Sequence, residues 1–103
     1  MDLVTEIYRL SRCFPKEELY GLTSQLRRAA VSVPSNIAEG QGRHGKVEFR
    51  HFLRLAMGSL MEIETQVLIA DRLNYVESDL AKTVLRDSVE LGRILSGLIA
   101  SLD

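Results

Sequence analysis

Apolar residues recur at helical spacing along almost the whole chain, and no stretch of any length alternates as a strand would. Leu3, Ile7, Leu10 and Phe14 stand at i, i+4, i+7 and i+11, with Val4 and Tyr8 beside them. That spacing is one face of a helix. The helix is expected to stop near Phe14-Pro15, because a residue before proline avoids helical backbone angles. Residues 15–21 read as a connector with room for one short turn. Leu22, Leu26, Ala29, Ala30, Val33 and Ile37 form a second stripe, predicting a helix from about 22 to 39. Pro34 lies inside it, and an interior proline costs about 3 kcal/mol. The stripe keeps its phase across Pro34, so a kinked helix is expected, with two short helices as the alternative. Gly40-Gln41-Gly42 is expected to end it.

Phe49, Phe52, Leu53, Ala56, Leu60, Ile63, Val67 and Ala70 predict a third helix over about 46–73. Leu55, Met61, Leu68 and Ile69 are apolar outside that stripe. Residues 74–77 read as a turn, with Ser78 or Asp79 as the cap of a fourth helix reaching about Leu102. Its expected stripe is Leu80, Val84, Leu91, Leu95, Leu98 and Leu102.

Four helices on short connectors predict an all-α, antiparallel up-down-up-down four-helix bundle, a single domain over residues 1–103. The composition, 46% hydrophobic and 26% charged, suits one core rather than disorder. The lengths are mismatched. At 1.5 Å per residue the third helix should run about 42 Å and the first about 18 Å. A short first helix should leave apolar surface bare, and large bare patches mark interfaces. A homo-oligomer is therefore expected.

The formal net charge is −1, which excludes a uniformly basic coat. The charge is uneven, however. Residues 22–54 hold six bases and two acids, whereas residues 55–103 hold four bases and eight acids. The longest apolar run, Val67 to Ala70, is far short of the ~20 residues that span a bilayer, so no membrane partner is expected. Cys13 is the only cysteine. It supports neither an internal disulfide nor a cysteine zinc site, and suits a reducing compartment. The first residues lack the basic start and apolar run of a signal peptide. A cytoplasmic location is expected.

Several strings resemble chemistry. Gly40-Gln41-Gly42-Arg43-His44-Gly45-Lys46-Val47 satisfies both G-x-x-x-x-G-K and G-x-G-x-x-G. A phosphate loop needs a hydroxyl after its lysine and a strand before its glycines. Val47 offers no hydroxyl, and Ser35–Glu39 continues a helical stripe. Val67-Leu68-Ile69-Ala70-Asp71 imitates a strand ending in a metal-binding acid but falls within the long helix. The glycine string reads as an interhelical turn. His44, Glu48 and His51 have zinc-like spacing, yet His44 is expected just before the helix, and solvated surface residues are the simpler reading. Cys13 reads as a packing residue, with nothing nearby to make it a nucleophile. No enzyme, cofactor, metal or small-molecule substrate is expected.

Two polar groups remain. The basic one is Arg27, Arg28, Arg43, Lys46, Arg50 and Arg54. Lys46, Arg50 and Arg54 repeat at i, i+4 and i+8, a stripe able to track phosphates, though without an aromatic to stack bases. The other is Ser35, Asn36 and Glu39 with Ser59, Glu62 and Gln66. The last three stand at i, i+3 and i+7 beside Leu55 and Ile69, as polar groups that fix register at an interface do.

Several segments are recognisable in order: Phe14-Pro15-Lys16-Glu17-Glu18, Tyr20-Gly21-Leu22-Thr23-Ser24-Gln25, Arg27-Arg28-Ala29-Ala30 and Val33-Pro34-Ser35-Asn36-Ile37-Ala38-Glu39-Gly40. Ala56-x-Gly58-Ser59 and Glu62-x-Glu64-Thr65-Gln66 follow. Together they resemble the bacterial 23S rRNA intervening sequence proteins, over roughly residues 7–76, with the last helix matching only as generic amphipathic sequence. The resemblance implies a four-helix bundle assembled as a ring, a homopentamer, with no activity or cofactor. It also implies a fold similar to the accessory variability determinant of diversity-generating retroelements, a basic pentamer that binds nucleic acid. Relatives carry a longer first helix, so this chain should expose more bundle surface. The expectation is a non-enzymatic homo-oligomer, pentameric by resemblance, acting as scaffold or interaction module. The alternative is an RNA- or DNA-binding assembly using the basic residues of 27–54.

Overall fold

The structure, a computed structural model, describes residues 2–103. Among these residues there are four α-helices and no strand: α1 (Asp2–Ser11), α2 (Leu22–Gln41), α3 (Lys46–Arg72) and α4 (Ser78–Ser101). A short 3-10 turn, Lys16–Glu18, lies between α1 and α2. No helix among the described residues is long and apolar enough to cross a membrane.

α1 stops at Ser11, earlier than expected. The chain tightens through i to i−3 bonds, Arg12 N–H to the Arg9 carbonyl, Cys13 to Leu10 and Phe14 to Ser11. Phe14 nonetheless completes the buried face of Leu3, Ile7 and Leu10. Cys13, expected to pack, is exposed. It precedes Phe14 by one residue, about 100° round a helix from that face.

α2 is a single helix through Pro34. Gly40 does not end it. Gly40 is buried inside the last turn, and a Cβ there would lie 2.8 Å from Phe52 Cβ and 3.0 Å from Phe49 Cδ1. The missing side chain lets α2 and α3 approach. Gly45 opens α3 with φ 99° and ψ 154°, a region that only glycine enters without strain. α3 ends in a Schellman motif. Asn74, at φ 60°, takes the left-handed position, and its N–H donates to the Asp71 carbonyl while the Tyr75 N–H donates to Ala70.

Neither expected cap of α4 acts as one. Glu77 flanks the helix without a side-chain cap bond, and the Ser78 hydroxyl donates to Asp71 Oδ1 at 2.9 Å instead. The buried face of α4 also differs from its expected stripe. Leu80 and Leu98 are exposed, and Ala81, Val84, Ser88 and Leu95 point inward. Small side chains take the positions closest to the neighbouring helices, and Leu85, Leu91, Ile99 and Leu102 flank them half-buried.

Leu10, Ile7, Leu26, Leu53, Leu60, Ile63, Val33, Val67 and Val84 are the fully buried centre of the core. The most extensive packing is α2 on α3. α4 packs on α3, and α1 packs on α2 and α4. The short α1 therefore bares the far parts of α2 and α4 rather than α3. At 1.5 Å per residue it covers about 15 Å of the ~36 Å of α4. Ile94 and Leu98 of α4 are exposed, and so are Leu55, Met61, Leu68 and Ile69 on the outward side of α3.

Candidate functional site

The six basic residues do not form one cluster. Arg27 and Arg43 both belong to the α2 region but stand sixteen residues apart, about 24 Å along a helix axis. Arg43 donates to Glu39 at 2.6 Å and stacks on the Phe52 ring with its guanidinium carbon 5.3 Å from the centroid. Arg50 is half-buried and tied to the end of the chain, donating to the Leu102 carbonyl at 3.0 Å and to Asp103 Oδ1 at 3.1 Å. These two charges are spent inside the molecule. Lys46 and Arg54 on α3 are exposed, and so is Arg28 on α2. Arg43 and Lys46 share a depression of 390 Å³ at the α2–α3 turn with Phe49 and Leu102.

Arg27 is held elsewhere. Its Nε donates to the buried Ser11 Oγ at 2.8 Å, and its guanidinium lies over the Tyr8 ring, 5.0 Å from the centroid. With Arg28 it lines a groove of 690 Å³ between α1, the 3-10 turn and α2. Ser35 lies on the rim of this groove.

The polar group splits too. Glu39 pairs with Arg43, and Ser35 faces the groove. Ser59, Glu62 and Gln66 follow one side of α3 against α2. Ser59 and Gln66 are buried, while Glu62 is exposed. Ser59 and Ser32 join their hydroxyls in a hydrogen bond, and Asn36 Nδ2 donates to the Ser32 carbonyl at 2.9 Å. Gln66 Oε1 is buried with no partner. Arg28 and Glu62 share a 220 Å³ depression over this seam with Gln25 and Ser32. Sequence reading missed Ser32. A signal existed: Gln25, Arg28 and Ser32 have the same i, i+3, i+7 spacing as Ser59, Glu62 and Gln66.

The glycine string runs from the last turn of α2 into the first of α3, so no strand precedes it. His44 is exposed in the turn, and the His51 ring on α3 sits edge-on to Phe52 with centroids 5.3 Å apart. Among the described residues no three histidine, cysteine or acidic side chains gather as metal ligands.

Sequence reading also missed the clasp at one end of the molecule. Glu18 Oε1 accepts from the Leu22 N–H at 3.1 Å, and Glu18 Oε2 accepts from the Tyr75 hydroxyl at 2.9 Å. Tyr75 also packs on Phe14, centroids 5.7 Å apart. The clasp fixes the 3-10 turn, and with it one wall of the groove, against the α3–α4 connector. The Tyr75 hydroxyl titrates above its ordinary range because of the hydrogen bond to Glu18, then its burial, then the negative charges of Glu18 and Glu17.

Fold and surfaces together define a small all-α protein of four helices with a polar α2–α3 seam and a basic groove beside α1. The profile of the 23S rRNA-intervening sequence proteins matches residues 1–97, and the chain belongs to that family. The match reaches well into α4, beyond the recognisable segments. A crystal structure of a protein of unknown function from the S23 ribosomal protein family of Bacteroides thetaiotaomicron has the same fold. It is 20% identical, with a TM-score of 0.87, over 95% of this chain and 92% of that one. No curated protein matches the chain.

Proposed function

We propose that the chain is the subunit of a cytoplasmic homo-oligomeric scaffold, which works by assembling and presenting its surfaces and carries out no reaction. One observation carries this reading. Leu55, Met61, Leu68 and Ile69 are exposed on the outward side of α3, next to a buried Gln66 Oε1 that has no partner. Apolar surface of this extent gains from a covering surface. The reading takes the bundle as antiparallel, up-down-up-down. Supporting this, Arg50 near the start of α3 bonds the end of α4, and Asp71 near the end of α3 bonds Ser78 at the start of α4. A heterologous contact between subunits closes into a ring when its rotation allows, and five is the number that the family resemblance implies.

Native mass spectrometry tests this. The expected result is an oligomer, with five copies dominant, and a folded monomer for the Leu55→Asp/Ile69→Asp variant. A wild-type chain that stays monomeric at every concentration would overturn it.

A second reading is nucleic-acid binding by the same assembly. It is favoured by Arg28, Lys46 and Arg54, which are exposed and make no ion pair among the described residues.

A further inference from the structure

The groove beside α1 adjoins a second depression, of 270 Å³, the two sharing Leu19, Thr23 and Arg27 in their linings. Arg12 and Lys16 line the second, and Arg27 and Arg28 line the first. No acidic side chain lines either. In a chain of net charge −1 this is a local concentration of positive charge. None of the four bases makes an ion pair among the described residues. Such a surface attracts an anion and keeps its charge available to one.

The groove also has an aromatic side. Tyr20 is 93% exposed at its edge, so one ring face has nothing of this chain against it. Tyr8 forms the inner wall beneath Arg27. The Nε bond to Ser11 and the stacking on Tyr8 hold the Arg27 guanidinium still. Its terminal Nη groups have no hydrogen-bond partner among the described residues. A fixed guanidinium with a free fork binds phosphate oxygens at little entropic cost.

We propose that this groove binds single-stranded nucleic acid. Arg12, Lys16, Arg27 and Arg28 take consecutive phosphates, and Tyr20 stacks on an unpaired base. The proposal rests on the nucleic-acid reading above but moves the site. Arg43 and Arg50, on which the α2–α3 turn would depend, are already paired. Positive charge together with an accessible aromatic face is the combination that holds single strands. A duplex hides its bases from such a ring.

Fluorescence anisotropy tests it, using labelled oligo-dT and oligo-U of about 15 nucleotides and a duplex of equal length. The full chain is compared with Tyr20→Ala, Arg28→Ala and the Lys46→Ala/Arg54→Ala double variant. Tyr20, Arg28, Lys46 and Arg54 are exposed, and circular dichroism confirms that each variant folds. The expected result is binding of the single strands that weakens steeply with salt. Tyr20→Ala should weaken it by about tenfold or more. Arg28→Ala should weaken it and make the salt dependence shallower, and the double variant, whose charges lie outside the groove, should weaken it less than either. Loss with the double variant alone would overturn the groove and keep the nucleic-acid reading. Absence of binding at low salt would overturn both. Preference for the duplex would overturn the single-strand assignment, as would equal competition by polyglutamate with no effect of Tyr20→Ala, which would point to an acidic protein.

Discussion

At the scale of single residues the Glu18 carboxylate does the most. One oxygen satisfies the Leu22 N–H at the start of α2, and the other accepts the Tyr75 hydroxyl 57 residues further along the chain. The bond keeps Tyr75 protonated, which raises its folded pKa above the ordinary tyrosine value. A group with a raised folded pKa contributes stability that is fully present below the unfolded pKa, about 10 for tyrosine. That contribution is lost as pH rises through the folded value. Ionisation removes the donor and sets a second negative charge against Glu18. Tyr75→Phe should therefore lower stability at neutral pH, and the gap to wild type should close as the solution becomes strongly alkaline. Urea unfolding of both proteins across that range measures it. No gap at neutral pH would assign the stability to ring packing on Phe14 alone, which the phenylalanine keeps.

Between elements, α2 and α3 approach closely at Gly40. Alanine there would gain up to about 1 kcal/mol of helix propensity. Its Cβ would meet the Phe52 Cβ at 2.8 Å, a contact next to the backbone that cannot swing aside. Overpacking of this kind costs about 1–3 kcal/mol, so Gly40→Ala should lower stability by about 1 kcal/mol. Gly97→Ala, with nothing within 4 Å of the new Cβ, should raise it slightly. Thermal unfolding of the two variants tests the pair. The role of Gly40 shows where sequence reading stops. A glycine after an apolar stripe reads as a terminator, and only the facing Phe49 and Phe52 turn it into a packing site. The faces of α1 and α3 were legible because large aliphatic residues mark most of them, and that of α2 because Leu26 and Val33 frame Ala29 and Ala30 in phase. α4 was not, because Ala81 and Ser88 occupy its inner line and leucines on its flanks mimic a stripe. The basic residues misled in a related way. Nearness in sequence grouped Arg27 with Arg43, whereas folding brings Arg27 beside Arg12 and Lys16 and leaves Arg43 with Glu39.

For the whole molecule, 43 Å long and 24 by 18 Å across, the two proposed surfaces answer to different forces. The outward side of α3 is apolar, and contacts made there should persist as salt rises. The groove is electrostatic, and its contacts should weaken. The surfaces also depend on one another. In a ring every subunit presents a groove, so a strand long enough to reach several is held by all of them. Its affinity then exceeds that of one groove by an effective-concentration factor of about 10² or more. A strand filling a single groove gains nothing. The Leu55→Asp/Ile69→Asp variant should therefore bind a short oligo-dT as the wild type does, and lose most of the affinity for a long one. Anisotropy with a short and a long oligo-dT, on both proteins at the same salt, reads the difference. Equal losses for both lengths would mean that assembly completes the groove itself, and equal retention for both would mean that the grooves act singly whatever the oligomer.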